Sequence, residues 1–139
     1  MIHVINGPNM NLLGKREPGL YGARTLSDLM SELATFAKKH KIEVDFFQSN
    51  HEGAILDYIQ QLEPGTKIII NPGALAHTSI ALRDCIIGTQ VDAIEVHISN
   101  IFTREDFRQF SYLSGVCRGF ICGLGTECYK MALLYFSER

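Results

Sequence analysis

KIIINPGALAHTS, residues 67–79, decides how this chain is built. Its opening run, Lys67–Ile70, is short, branched and apolar without alternation, the pattern of a strand covered on both faces. Directly behind it lie Asn71, Pro72 and Gly73, then a polar stretch that carries His77. A buried strand that empties into a polar turn is how an open parallel sheet presents a ligand site. The same kind of run recurs outward in both directions, at Ile2–Asn6, Ile42–Phe47, Val91–His97 and Val116–Cys122. Between the runs the periodicity becomes helical. Leu26, Leu29, Met30, Leu33 and Ala37 fall on one stripe opened by Thr25 as N-cap, and Ile55, Leu56, Ile59 and Leu62 mark a second helix ended by Pro64-Gly65. Ile80, Leu82, Cys85 and Ile86 predict a short third helix, and Tyr129, Ala132, Leu133 and Phe136 a C-terminal one. Strands alternating with helices give an α/β fold with a parallel sheet. Five strands in this length suit a flavodoxin-like doubly wound sheet of order 2-1-3-4-5, formed by residues 1–139 as a single domain.

Composition narrows the function classes. The chain has 139 residues, 46% of them hydrophobic, enough for a proper core. With 13 basic and 15 acidic residues its net charge is −2, so charge alone drives it to neither nucleic acid nor a membrane surface. No apolar run approaches the length of a spanning helix, and no charged leader precedes an apolar core at the N-terminus. Cys85, Cys117, Cys122 and Cys128 show no metal-ligand spacing and sit among apolar neighbours. The expectation is a cytoplasmic protein with reduced, buried thiols.

The chain concentrates polar residues where the fold predicts a site, beyond the carboxyl ends of strands 1, 3 and 4. After strand 1 comes GPNMNLLGKREPGLYG, residues 7–22, far longer than an ordinary strand-to-helix connection. It carries Asn9, Lys15, Arg16, Glu17 and Tyr21 with little apolar filler, and reads as an active-site lid. After strand 3 come Asn71 and His77. Strand 4 ends in IEVHISN, residues 94–100, with Glu95 and His97 on one strand face. Arg104 and Arg108, four apart, would share a helical face beyond it. Each residue alone has a bland explanation. Asn9 can bond loop backbone, either histidine can be structural, and Arg16 and Arg108 can pair with Glu17 and Asp106. Their convergence on three adjacent strand ends is what favours a site.

The kit is a phenol, imidazoles, guanidiniums and amides. It holds no carboxylate cluster for a metal and no Ser or Cys beside a base on a sharp elbow. Gly123-Leu124-Gly125 fits a tight strand-to-helix turn better than a phosphate loop. These groups suit proton transfer on an oxygen-rich anion. A phenol, ordinarily ionising near about pH 10, serves as a base only beside positive charge, which Arg16 and Arg108 supply. His97, held by Glu95, then protonates a leaving hydroxyl. The chemistry class is a lyase or isomerase acting on a polyhydroxylated carboxylate, with no cofactor and no metal. Other uses of the fold fit less well. A phosphoreceiver wants acidic residues where Asn6, Gly7 and Asn71 stand, and a flavodoxin wants hydroxyl-rich phosphate contacts that Gly7–Asn11 do not offer. A catalytically dead scaffold would not need Tyr21, Arg16 and His97 together.

These motifs closely resemble type II 3-dehydroquinate dehydratase, over essentially the whole chain. GPNMNLLGKREPGLYG matches the family's opening signature, NPGALAHTS its second motif, and IEVHISN with Arg104 and Arg108 its third; LRD at 82–84 and the GLG turn also fit. Met10 stands where Leu is common, and Phe102-Thr103 lies in a variable patch. The resemblance implies anti elimination of water from 3-dehydroquinate through an enolate, giving 3-dehydroshikimate, a reaction shared by shikimate biosynthesis and quinate breakdown. By position, Tyr21 matches the base, Arg16 the lid arginine that lowers its pKa, and Asn9 the residue holding a water against the enolate oxygen. His97 matches the general acid, with Glu95 behind it. Asn71 and the backbone amides of Ile98 and Ser99 match carboxylate binders, and His77 and Arg108 hold ring hydroxyls. Asp84 matches a residue that reaches a neighbouring subunit's site, implying a homododecamer built from four trimers. The family uses no cofactor and no lysine Schiff base.

Overall fold

The structure, a computed structural model, describes residues 1–15, 19 and 23–139. Five parallel strands are found among the described residues: β1 (Ile2–Asn6), β2 (Val44–Gln48), β3 (Lys67–Asn71), β4 (Asp92–His97) and β5 (Gly119–Cys122), in the order β2-β1-β3-β4-β5. Among the described residues, four α-helices connect or follow them: α1 (Leu26–Lys39), α2 (Glu52–Gln60), α3 (Ile80–Thr89) and α4 (Glu127–Ser137). This is the doubly wound arrangement read from the sequence.

Alternation along the central strands feeds two cores. Ile2, Val4, Ile69, Ile94 and Val96 point to the side covered by α1 and α4, against Leu29, Leu33, Leu133 and Phe136. Ile5, Ile68, Ile70 and Ala93 point to the other side, against Ile55, Ile59, Leu82 and Ile86 of α2 and α3. Most of these side chains are fully buried. At about 1.5–3 kcal/mol for each large apolar side chain withdrawn from water, the two layers dominate the favourable side of folding. Coverage on both faces holds for β1, β3 and β4; the edge strands β2 and β5 are only half-buried. β2 begins later than the apolar run suggests because Ile42 N–H still bonds Ala37 O at 2.8 Å, after a left-handed Lys41 (φ 58°). β5 also begins later, since Ser114–Val116 close a 3-10 turn around the buried Leu113.

The caps set where the helices begin. Thr25 accepts from Asp28 N–H while Asp28 accepts from Thr25 N–H, a reciprocal capping box for α1. Ser79 Oγ accepts from Leu82 N–H at 2.9 Å to start α3. α2 stops at Gln60, ahead of Pro64-Gly65.

The first turns after β1 and β3 interlock at the point where the winding reverses. Gly7 N–H donates to Asn71 O at 2.8 Å, and a Cβ on Gly7 would lie 2.4 Å from Pro72 O. Only glycine permits that approach. The same turns form the floor of the site.

Candidate active site

One pocket opens at the carboxyl ends of β1, β3 and β4, lined by Asn9, Asn71, His77, His97, Ile98, Ser99 and Arg108 among others. Seven residues singled out from three separate motifs therefore meet in one place, beyond the strand ends at the reversal of winding. Pro8, Met10, Leu13, Gly73, Ala74, Ile101 and Arg104 complete its described wall. Arg16 and Tyr21 lie outside the described residues. Asp84 sits on α3, exposed and away from the pocket wall.

Glu95 and His97 share one face of β4, as the strand period requires. Glu95 is fully buried and His97 is 5% exposed. A carboxylate only accepts, so the 2.5 Å contact is a bond from His97 Nε2–H to Glu95 Oε2. That leaves Nδ1 as the ring atom available to the pocket. The couple is held further: Ser114 Oγ–H donates to Glu95 Oε1 at 2.7 Å, and Ser111 Oγ lies 2.9–3.0 Å from both carboxylate oxygens. The His97 carbonyl accepts from Gly123 N–H at 3.2 Å and from the Cys128 thiol at 3.3 Å. Gly125 N–H donates to Ile98 O at 3.1 Å. Gly123 and Gly125, both at positive φ, thus form a strand-to-helix turn whose amides pin the end of β4.

His77 stacks near His97, ring centroids 6.2 Å apart. Its Nδ1–H donates to Phe110 O at 2.7 Å, which fixes Nε2 as an acceptor when the ring is neutral. Burial pushes the His77 pKa down, more than the Phe110 carbonyl raises it, and His97 and Arg108 add to the depression. The ring is therefore neutral near pH 7 and suited to accept from a ligand hydroxyl.

Asn71 is 3% exposed and belongs to a buried chain of amides and a phenol. Its Oδ1 accepts from Gly73 N–H at 3.2 Å, and its Nδ2 donates to Tyr129 Oη at 2.9 Å. Tyr129 Oη–H donates onward to Asn6 Oδ1 at 2.6 Å. Burial raises the Tyr129 pKa, so it remains a donor. A tyrosine from α4 thereby ties the ends of β1 and β3 together under the pocket. Asn9 takes the left-handed conformation (φ 69°), its N–H donating to Asn50 Oδ1 at 2.9 Å. Asparagine tolerates that conformation better than most residues.

The arginines are not arranged as the sequence suggested. No α-helix carries Arg104 and Arg108; they occupy 3-10 turns at Ile101–Thr103 and Asp106–Arg108 and the bend between them. Asn100 supplies the reason: its side chain caps the first turn through Phe102 N–H, and Arg104 then returns to an extended conformation. Both arginines still reach the pocket wall. Arg108 Nε pairs with Glu105 at 3.2 Å, in place of Asp106, and its guanidinium lies over the Phe107 ring.

Tyr129, Ser111 and Ser114 were not marked as site residues by sequence. Tyr129 looked like one more member of an apolar helical stripe. The serines carried one signal, the requirement that a buried carboxylate at Glu95 find donors. Among the described residues no buried side-chain nitrogen or oxygen lacks a partner.

The arrangement can hold an oxygen-rich anion between cationic and neutral donors and deliver a proton from a carboxylate-backed imidazole. The family description "Dehydroquinase class II" matches residues 1–137. A 3-dehydroquinate dehydratase of Azorhizobium caulinodans is 54% identical over 132 residues, covering 95% of this chain and 90% of that protein. A 3-dehydroquinate dehydratase of Methylococcus capsulatus is 56% identical over 134 residues, with 95% and 90% covered. The crystal structure of a type II dehydroquinase from Butyrivibrio crossotus superposes with a TM-score of 0.91 at 43% identity, covering 99% of this chain and 97% of that one.

Proposed function

This chain belongs to the class II dehydroquinase family, and from that membership and the pocket geometry we propose that it dehydrates 3-dehydroquinate to 3-dehydroshikimate. The observation that carries the reading is the buried Glu95–His97 couple opening onto a pocket walled by His77, Arg108, Asn71 and Asn9. Elimination of a hydroxyl β to a carbonyl needs a base at the carbon between them, a charge-stabilising donor at the carbonyl oxygen, and an acid at the departing group.

In the proposed scheme Tyr21 takes the proton next to the ketone, and Arg16 favours its phenolate. The C–H electron pair moves into an enolate, whose oxygen is met by a water held on Asn9. The enolate then reforms the carbonyl, the C1–O bond breaks, and His97 gives its proton to the leaving hydroxyl as water. Support for Tyr21 and Arg16 is the match of their motif to the family. Support for His97 is its carboxylate partner, which fixes the ring and its tautomer. Asn71 and the Ile98 and Ser99 amides take the substrate carboxylate, while His77 and Arg108 take ring hydroxyls. No cofactor enters the scheme. Asp84 is assigned to a neighbouring subunit's site in a homododecamer of four trimers; its motif match and its exposure on α3, outside the pocket wall, support that assignment. Among the described residues no helix is long and apolar enough to cross a membrane, and a cytoplasmic setting suits the reaction.

The test is direct: purified protein incubated with 3-dehydroquinate should generate the ultraviolet absorbance of the conjugated enone. A protein that is folded, assembled and silent in this assay refutes the reading.

A further inference from the structure

We propose, on the reading that this chain is a dehydratase, that Ser111 and Ser114 are positioning residues that set the direction and charge of the Glu95–His97 couple. A buried carboxylate is stable only when donors surround it. Glu95 is fully buried, and its donors are His97 Nε2 and the hydroxyls of these two serines. The serines belong to a short segment pinned on several sides. Leu113 between them is fully buried, Tyr112 N–H donates to Ala76 O at 2.7 Å, and Arg83 on α3 donates to Tyr112 O at 2.8 Å. Ser111 Oγ also accepts from the N–H groups of Leu113 and Ser114, at 3.1 and 3.3 Å, which turns its own hydrogen towards Glu95. The donors are therefore fixed to the scaffold, and through them so is the carboxylate that orients His97.

The hydroxyls also tune charge. They stabilise the couple more when His97 is neutral and the pair carries a net negative charge than when an imidazolium already offsets the carboxylate. Their dipoles thus oppose positive charge on the neighbouring ring, so that removing one hydroxyl favours the charged form. Among the described residues, the other titratable or charged groups around the couple are His77, Arg104 and Arg108 in the pocket, the Cys128 thiol on the His97 carbonyl, and Cys117. Burial first, then the charge of Glu95, pushes the Cys117 thiol up to about 12, so it stays neutral. Among the described residues, the donors to the Glu95 oxygens are His97, Ser111 and Ser114.

Ser114 is the cleaner target, because among the described residues its hydroxyl bonds only Glu95. In Ser114→Ala we expect kcat to fall about tenfold, a fraction of a full general-acid contribution, with KM held within about twofold. The alkaline limb of the kcat–pH profile should move to higher pH by roughly half a unit or more. Ser114→Thr, which keeps the hydroxyl, should restore both. A wild-type kcat and pH profile in Ser114→Ala overturns the proposal, as does a loss that Ser114→Thr fails to rescue. The His97 ring titration, followed by NMR in wild type and Ser114→Ala, reads the same charge effect without turnover. An upward shift in the variant supports the proposal and an unchanged titration refutes it, whereas an inactive wild type refutes only the dehydratase reading.

Discussion

Replacing Tyr129 by Phe removes one oxygen from the bottom of the pocket and leaves the helix stripe intact. That oxygen accepts from Asn71 Nδ2 at 2.9 Å and donates to Asn6 Oδ1 at 2.6 Å. Neither amide can turn to water, since Asn6 is 1% and Asn71 3% exposed. Each retains a partner on its other end, Asn6 at Met30 Sδ and Asn71 at Gly73 N–H. Two buried polar atoms lose their bonds, each at about 1–3 kcal/mol. The expected total is about 2–4 kcal/mol, in the upper part of the range for single substitutions. For a chain of this size that lowers Tm by roughly 6–20 °C. Urea denaturation followed by far-ultraviolet circular dichroism, at fixed protein concentration, measures it. Because Asn71 then loses its tether, affinity for 3-dehydroshikimate should fall as well. A loss of stability under about 0.5 kcal/mol, with unchanged product binding, would refute the bridging role of the phenol.

Four further outcomes are expected. Gly7→Ala places a Cβ 2.4 Å from Pro72 O, so the floor turns must separate; thermal melts should show a loss of about 2 kcal/mol or more, and turnover should fall roughly a hundredfold. Tyr21→Phe should abolish nearly all turnover while still binding product-like ligands, and a variant keeping about a tenth of the wild-type rate would remove Tyr21 from the role of base. Arg16→Ala should act mainly on kcat; a rise in KM alone would make that arginine a binding device. The lowered His77 pKa makes stability fall with acidification, because below 6.5 the unfolded chain takes up a proton that the folded ring resists. Denaturation at about pH 7.5 and about pH 5.5 should therefore show a smaller pH-dependent loss in His77→Gln than in wild type.

The sheet was legible because the central strands are buried on both faces and their side chains carry that fact without ambiguity. Ile68, Ile69 and Ile70 run without a polar residue between them, and β3 extends one residue beyond them at each end. The edges were less legible for a physical reason: Val116 and Cys117, at the end of a 3-10 turn, are apolar because they pack against the core on the α2 and α3 side, not because they extend β5. Arg104 and Arg108 have helical spacing, yet Asn100 caps a tight turn before a helix can form. The site residues on strand ends were visible, since a Glu and a His two apart on a buried strand must share a face. The supports were hidden. The polar role of Tyr129 depends on where its hydroxyl lands across the fold, and Ser111 and Ser114 reach Glu95 only after the chain has passed 16 and 19 positions further on. Long-range pairing of that kind leaves no periodic mark in the sequence.

The central claim is that the pocket at the ends of β1, β3 and β4 eliminates water by proton transfer alone, without a covalent imine. The measurement closest to it is the initial rate of enone formation from 3-dehydroquinate by purified protein, with and without prior borohydride treatment in the presence of substrate. The account predicts equal turnover in the two samples. Turnover abolished by borohydride, or absent from both samples of assembled protein, would contradict it.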